Sequence, residues 1–171
     1  MTDQLNLALL ILRVVTGLMI IAHGYNHVFR GGKIQGTGRW FGSMGMKPGI
    51  LHAWLASITE LTCGVLLLLG LLTPLAAGGV LGVMLVAWIT AHRTNGFFIF
   101  KPGQGWEYVA YISFVCVAIG TLGAGEWSLD NAFDITFKHW AGLITTLVVG
   151  VGGAATLLAV FYRPEREEAS A

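Results

Sequence analysis

Five apolar stretches, residues 7–29, 51–72, 75–92, 106–123 and 139–162, take up most of this chain. Each has roughly the length needed to cross a hydrocarbon core of about 30 Å as a helix, which takes about 20 residues. Backbone in lipid must satisfy its own hydrogen bonds, so runs of this kind fold as helices. They are too long and too continuous to be the alternating strands of an outer-membrane barrel. Charged residues make up 11% of the sequence, against about 25% in soluble domains. The 24 glycines suit helices whose backbones approach closely in a membrane. The expected fold is therefore all-α, an integral membrane helical bundle in a lipid bilayer. The first run does not read as a secretory signal, because no basic segment precedes it and His23, Asn26 and His27 spoil a small-residue cleavage site.

Polar residues inside these runs carry the functional signal. Residues 22–29, Ala-His-Gly-Tyr-Asn-His-Val-Phe, close the first run, and residues 91–98, Ala-His-Arg-Thr-Asn-Gly-Phe-Phe, close the third. The first, second, fifth and eighth places match, which suggests an internal repeat of two hairpins. Glu60 in the second run stands roughly 13 Å from the nearer membrane face at 1.5 Å per residue. Glu107 opens the fourth run. Ionisable groups at such depth are costly and face a partner or a cavity. Glu60 is expected to be neutral, or bonded to His23 or His92. The candidate reacting residues are Glu60, His23 and His92, and the candidate ligand-binding residues are Asn26, Asn95, Glu107 and His27.

The bland readings stand beside these. His23 and Asn26 can tie helices together by hydrogen bonds of about 1 kcal/mol each. His27 and His92 can be solvated near the interface, and Glu107 can serve the dipole of a helix start. Glu60 is the hardest to explain structurally. Arg13, about two turns inside the first run, needs a partner or a path to the surface. Gly78 and Gly82 have the spacing of a close helix contact. Cys63 and Cys116 lie in apolar runs without metal-ligand spacing, as buried packing residues. The net charge of +1 argues against nucleic acid or another acidic partner. Gly36-x-Gly38 follows no strand, and its third glycine is misplaced for a dinucleotide fingerprint.

The loops set an orientation. Loop 30–50, with Trp40 and Phe41 among basic residues, reads as a short helix at the membrane surface, and Thr73-Pro74 reads as a tight turn. Loop 124–138 is acidic. The side holding loops 30–50 and 93–105 and the tail 163–171 carries Arg30, Lys33, Arg39, Lys47, Arg93, Lys101, Arg163 and Arg166, whereas the other has Arg13 and Lys138. The positive-inside rule puts the N-terminus outside and the C-terminus in the cytoplasm. The tail is expected to be disordered.

In order and spacing, several segments resemble the DoxX family. They are His23-Gly24, Gly36-Thr37 with Phe41, Gly45 and Pro48, Glu60-Leu61 with Gly64 and the run to Gly70-Leu71-Leu72-Thr73, His92 with Asn95-Gly96-Phe97, Glu107-Tyr108, and Ser128-Leu129-Asp130. The resemblance covers about residues 8–130. It implies a four-helix DoxX-like membrane core over residues 1–130, to which this chain adds a fifth transmembrane helix at 139–162 and a cytoplasmic tail at 163–171. It also implies a bacterial inner membrane. Family members are linked to a terminal oxidase, to thiosulfate oxidation coupled to quinone, and to thiol-oxidant defence.

Two functions follow as expectations. One is a membrane oxidoreductase subunit with a quinone at the His/Asn/Glu cluster, Glu60 and Glu107 forming the proton route and a protein partner supplying electrons, since the chain has no flavin or nucleotide motif. The other is a non-catalytic subunit or assembly factor. A haem or metal on His23, His27 and His92 is a weaker variant of the first. A homo-oligomer is compatible with either. The fifth helix, lacking an internal charge, is expected to pack outside the core and give nothing to a site.

Overall fold

A computed structural model describes residues 1–135, 137 and 139–164. The part of the tail at 165–171, and Lys138, lie outside the described residues. The chain is a helical bundle. Four helices are long and apolar enough to cross a membrane: α1 (Asp3–Phe29), α3 (Gly49–Leu69), α4 (Thr73–His92) and α7 (His139–Phe161). Between them lie the short α2 (Lys33–Ser43), α5 (Glu107–Leu122) and the single turn α6 (Leu129–Ala132). At 16 residues α5 spans about 24 Å, less than a full hydrocarbon core.

The bundle is inside-out by the standards of a soluble protein. Ile11, Val15, Leu18, Ile58, Val65, Phe114, Ile144 and Val148 are exposed on its flanks, while Asn6, Arg13, Ser57, Glu60, His92, Ser113 and Thr146 are buried. A lipid-facing exterior permits this, because no hydrophobic force drives side chains inward from hydrocarbon. The shared apolar core lies among Ile20, Leu67, Ala77, Val80, Met84, Val109, Ile112, Cys116 and Ile119.

Small residues set the helix pairs. A methyl group on Gly17 would stand 2.7 Å from the Gly64 carbonyl, and one on Gly24 would stand 3.1 Å from that of Ser57. These contacts fix how α1 rotates against α3. Gly78 and Gly82 of α4 do make a close helix contact, against Val149 and Gly150 of α7. Thr146 of α7 donates to the Pro74 carbonyl at 3.0 Å, so α7 seats in the groove of α4 and α5.

The α3–α4 connection differs from the expected turn. Gly70 at φ 63° ends α3, Leu72 is left-handed at φ 49°, and Thr73 and Pro74 already belong to α4. Proline in a first turn lacks only an amide the helix would leave unpaired anyway. Asp130 holds this corner from α6: its carboxylate accepts from Leu72 N at 2.6 Å and Thr73 N at 3.0 Å. Arg13 is 1% exposed and finds partners here. It donates to the carbonyls of Trp127 at 2.7 Å and Leu67 at 3.5 Å, with Asp130 as its counter-charge.

Candidate functional site

The opposite end of the bundle holds a cavity of about 390 Å³. The C-terminal turns of α1 bring His23 and His27 to it, α3 brings His52, Thr59 and Glu60, and α4 brings Thr90 and His92. Tyr108 from α5 joins them, and Trp40 and Phe41 of α2 cover one side. Of the residues singled out from the sequence, His23, His27, Glu60 and His92 therefore share one cavity.

Asn26, Asn95 and Glu107 do not line it. Asn26 faces outward at the end of α1. Asn95 donates to the carbonyls of Ala91 at 2.8 Å and Gly103 at 2.6 Å, and Glu107 accepts from the Ile99 amide at 3.1 Å. Both fasten the 93–106 loop, whose backbone also pairs with itself at Trp106 N to Gly96 O and Glu107 N to Phe97 O. A loop with its polar groups paired internally can lie at membrane depth.

Glu60 is 3% exposed and meets His27, not His23 or His92 as its position in sequence suggested. His27 Nε2 stands 3.5 Å from Glu60 Oε2, a close contact rather than a hydrogen bond, and Oε2 has no hydrogen-bond partner among the described residues. The close seating of Gly24 on Ser57 and Glu60 explains the pairing, because it sets the face of α1 that meets α3. His27 is itself held by α2: its ring stacks on Trp40 at 6.4 Å and meets Phe41 edge-on at 5.7 Å, while its carbonyl accepts from Thr37 Oγ1 at 2.9 Å.

His92 forms the second polar unit. Its Nδ1 lies 2.8 Å from the Gln104 carbonyl and its Nε2 lies 2.9 Å from the Tyr108 hydroxyl. A carbonyl only accepts, so Nδ1 carries the proton, and in the neutral ring Nε2 accepts from Tyr108. A metal at His92 Nε2 would have to displace that hydroxyl. The ring of His23 lies nearly parallel to that of Tyr108, with centroids 6.4 Å apart.

Three contributors were not singled out from the sequence. Tyr108 enters only as the neighbour of Glu107 in the family resemblance, with no role of its own. His52, in the first turn of α3, is buried beside Phe161, with its ring by the Lys47 backbone and neither nitrogen in a well-formed hydrogen bond. The third is α7. It carries no ionisable side chain to the cavity, as expected, yet Val149, Gly153, Ala154 and Leu157 form an apolar wall, so it does contribute to the site. The available signal was backbone geometry: two π-helical segments, Trp88–His92 in α4 and Val148–Gly152 in α7, both border the cavity. Such local widenings are frequent at functional sites.

The DoxX family model matches residues 8–93. An uncharacterized membrane protein of Mycobacterium tuberculosis is 30% identical over 129 residues, covering 70% of this chain and 77% of that one. No solved structure matches the chain. The matched segment contains α1 to α4 and with them His23, His27, His52, Glu60 and His92, so the histidine-lined cavity is built largely from the part that places this integral membrane protein in the DoxX family.

Proposed function

We propose that this protein is the membrane subunit of a quinone-linked oxidoreductase system and that the cavity receives the quinone ring. The observation that carries the reading is the composition of the cavity wall. A buried carboxyl, one oxygen of which has no hydrogen-bond partner among the described residues, and four histidines line a space whose wall is otherwise mostly aliphatic and aromatic. Its volume falls in the range of small-molecule sites, about 300–1,000 Å³. Reducing a quinone takes two electrons and two protons. In this reading His23 and His27 donate hydrogen bonds to a ring carbonyl, and Glu60 passes protons to the reacting oxygen. Tyr108 and His92 act as positioning residues, since the His92 proton is committed to Gln104. Electrons come from a protein partner, because the sequence carries no flavin or nucleotide motif.

The test compares wild type with Glu60→Gln and Glu60→Ala. Purified wild type should carry quinone identifiable by mass spectrometry. Glu60→Gln should fold and bind but lose quinone-linked activity, because an amide cannot exchange a proton. If Glu60→Gln kept full activity while Glu60→Ala only lowered Tm, the carboxyl would be a helix contact and the proton route would be wrong.

A further inference from the structure

The cavity does more than hold a ring: it reaches the flank of the bundle. α3 and α7 both pack on α4, which supplies the back wall through Gly79, Gly82, Val83 and Ala87. Between α3 and α7, two residues line the cavity and are also exposed. Leu55 of α3 is 42% exposed, and a side chain placed on Gly153 of α7 would meet no atom within 4 Å. Gly153 stands eight residues before the end of α7 at Phe161, or about 12 Å along the helix. The opening is thus at hydrocarbon depth and not at the rim.

Toward the rim the same gap is shut. Met46 pairs with Tyr162, Lys47 N donates to the Phe161 carbonyl at 3.3 Å, and Arg163 N donates to the Gly45 carbonyl at 2.7 Å. These contacts tie the end of α7 to the segment leading into α3. On the α1 side, Trp40 and Phe41 cover His27. The polar groups, Glu60, His23 and the His92–Tyr108 pair, come from α1, α3, α4 and α5, while every α7 residue facing the cavity is apolar.

We infer that the gap between α3 and α7 is a lateral portal through which a lipid-soluble quinone enters from the bilayer, its polyprenyl tail lying against Gly153, Ala154 and Leu157. This rests on the quinone reading above and adds a ligand class: a long-tailed membrane quinone, with the fifth helix as its selectivity element. A water-soluble, tail-less quinone uses the ring site but not the wall.

The experiment measures binding by quenching of tryptophan fluorescence in the purified full-length protein, with a polyprenyl benzoquinone and with duroquinone, which has no tail. Gly153→Leu fills the portal from α7 without a backbone clash, and Leu55→Trp narrows it from α3. Each variant should weaken the polyprenyl quinone by about tenfold or more, the scale of burying two or so fewer methylenes, and leave duroquinone near its wild-type affinity. Having two variants on different helices guards against one that misfolds. Equal loss of both ligands, or no loss of either, would overturn the portal while leaving the ring site standing. Failure of wild type to bind either quinone would overturn the ring site and the portal with it.

Discussion

The hydroxyl of Tyr108 and Nε2 of His92 meet at 2.9 Å, while Nδ1 of the same imidazole is held by the Gln104 carbonyl at 2.8 Å. The second bond decides the first. With its proton fixed toward the loop, a neutral His92 offers Tyr108 a lone pair and offers a ligand nothing directly. The 93–106 loop thereby sets the state of a residue inside the cavity. Asn95, read from sequence as a ligand group, serves the same end by bracing that loop at Gly103.

Tyr108→Phe keeps the ring that faces His23 and removes only the hydroxyl. The stability cost should be about 1 kcal/mol, that of one hydrogen bond, visible as a small drop in Tm. Quinone-linked activity should fall further than stability does, because His92 Nε2 then loses its partner and the ring is held only through Nδ1. Activity that fell no further than stability would leave Tyr108 as packing alone.

Asp130 should matter for folding and not for the cavity. It is 4% exposed, caps α4 through two amides and faces Arg13. It also steadies Leu72 in the left-handed region, which costs roughly 1–2 kcal/mol for such a residue. Asp130→Ala leaves two helix-start amides without their charged acceptor, a loss of about 3 kcal/mol for two such bonds, and takes a nearby negative charge from Arg13. A large fall in Tm is expected, with quinone affinity of the folded fraction unchanged because the two clusters lie at opposite ends. Wild-type Tm in Asp130→Ala would mean that Trp127 and Leu67 suffice for Arg13.

The helices, their membrane character and the family were legible in the sequence because long apolar runs admit few folds. So was the presence of buried polar groups, since histidine and glutamate inside such runs need a reason. Which of them meet was not legible. The Glu60–His27 pairing depends on the rotation of α1 against α3, set by Gly17 and Gly24 meeting specific carbonyls, and apolar runs without a polar face give no phase. Asn26 and Asn95 echo one another in sequence but do not line the cavity, nor does Glu107, because the α1 and α4 ends lead into different loops. His52 and α7 were passed over for a different reason. A first-turn histidine resembles an interface residue, and a helix without charges gives no polar signal even when its apolar wall shapes a site.

Glu126 should give the Arg13 end of the bundle a pH dependence. It is exposed in the loop before α6, where the Met1 amino group and the Asn6 side chain, at 2.7 Å, donate to it. The hydrogen bond from the amino terminus, then that from Asn6, holds its carboxyl below the ordinary carboxylate value. A depressed pKa means stabilisation that is present above the unfolded value and lost as pH falls through the folded one. The Tm difference between wild type and Glu126→Gln should therefore be small, present at neutral pH, and vanish on acidification below the ordinary glutamate range. A difference that grew in acid would reverse the sign and exclude this pairing in solution.

The cavity end should face the cytoplasm. It holds Arg30, Lys33, Arg39, Lys47, Arg93, Lys101 and Arg163, and the rule counts lysines and arginines near span ends. Arg13 hardly opposes them, because it is buried against Trp127 and Leu67 carbonyls and is not a free loop charge. Five crossings then put the two termini on opposite sides. A fluorescent protein fused after Ala171 should fold in the cytoplasm. A cysteine at Asp3, which is exposed, should react from outside with an impermeant maleimide, against the background of Cys63 and Cys116 inside the bundle. If both ends reported from one side, one helix would not cross. The first to suspect would be Glu107–Leu122, whose 16 residues fall short of the span that the other four achieve.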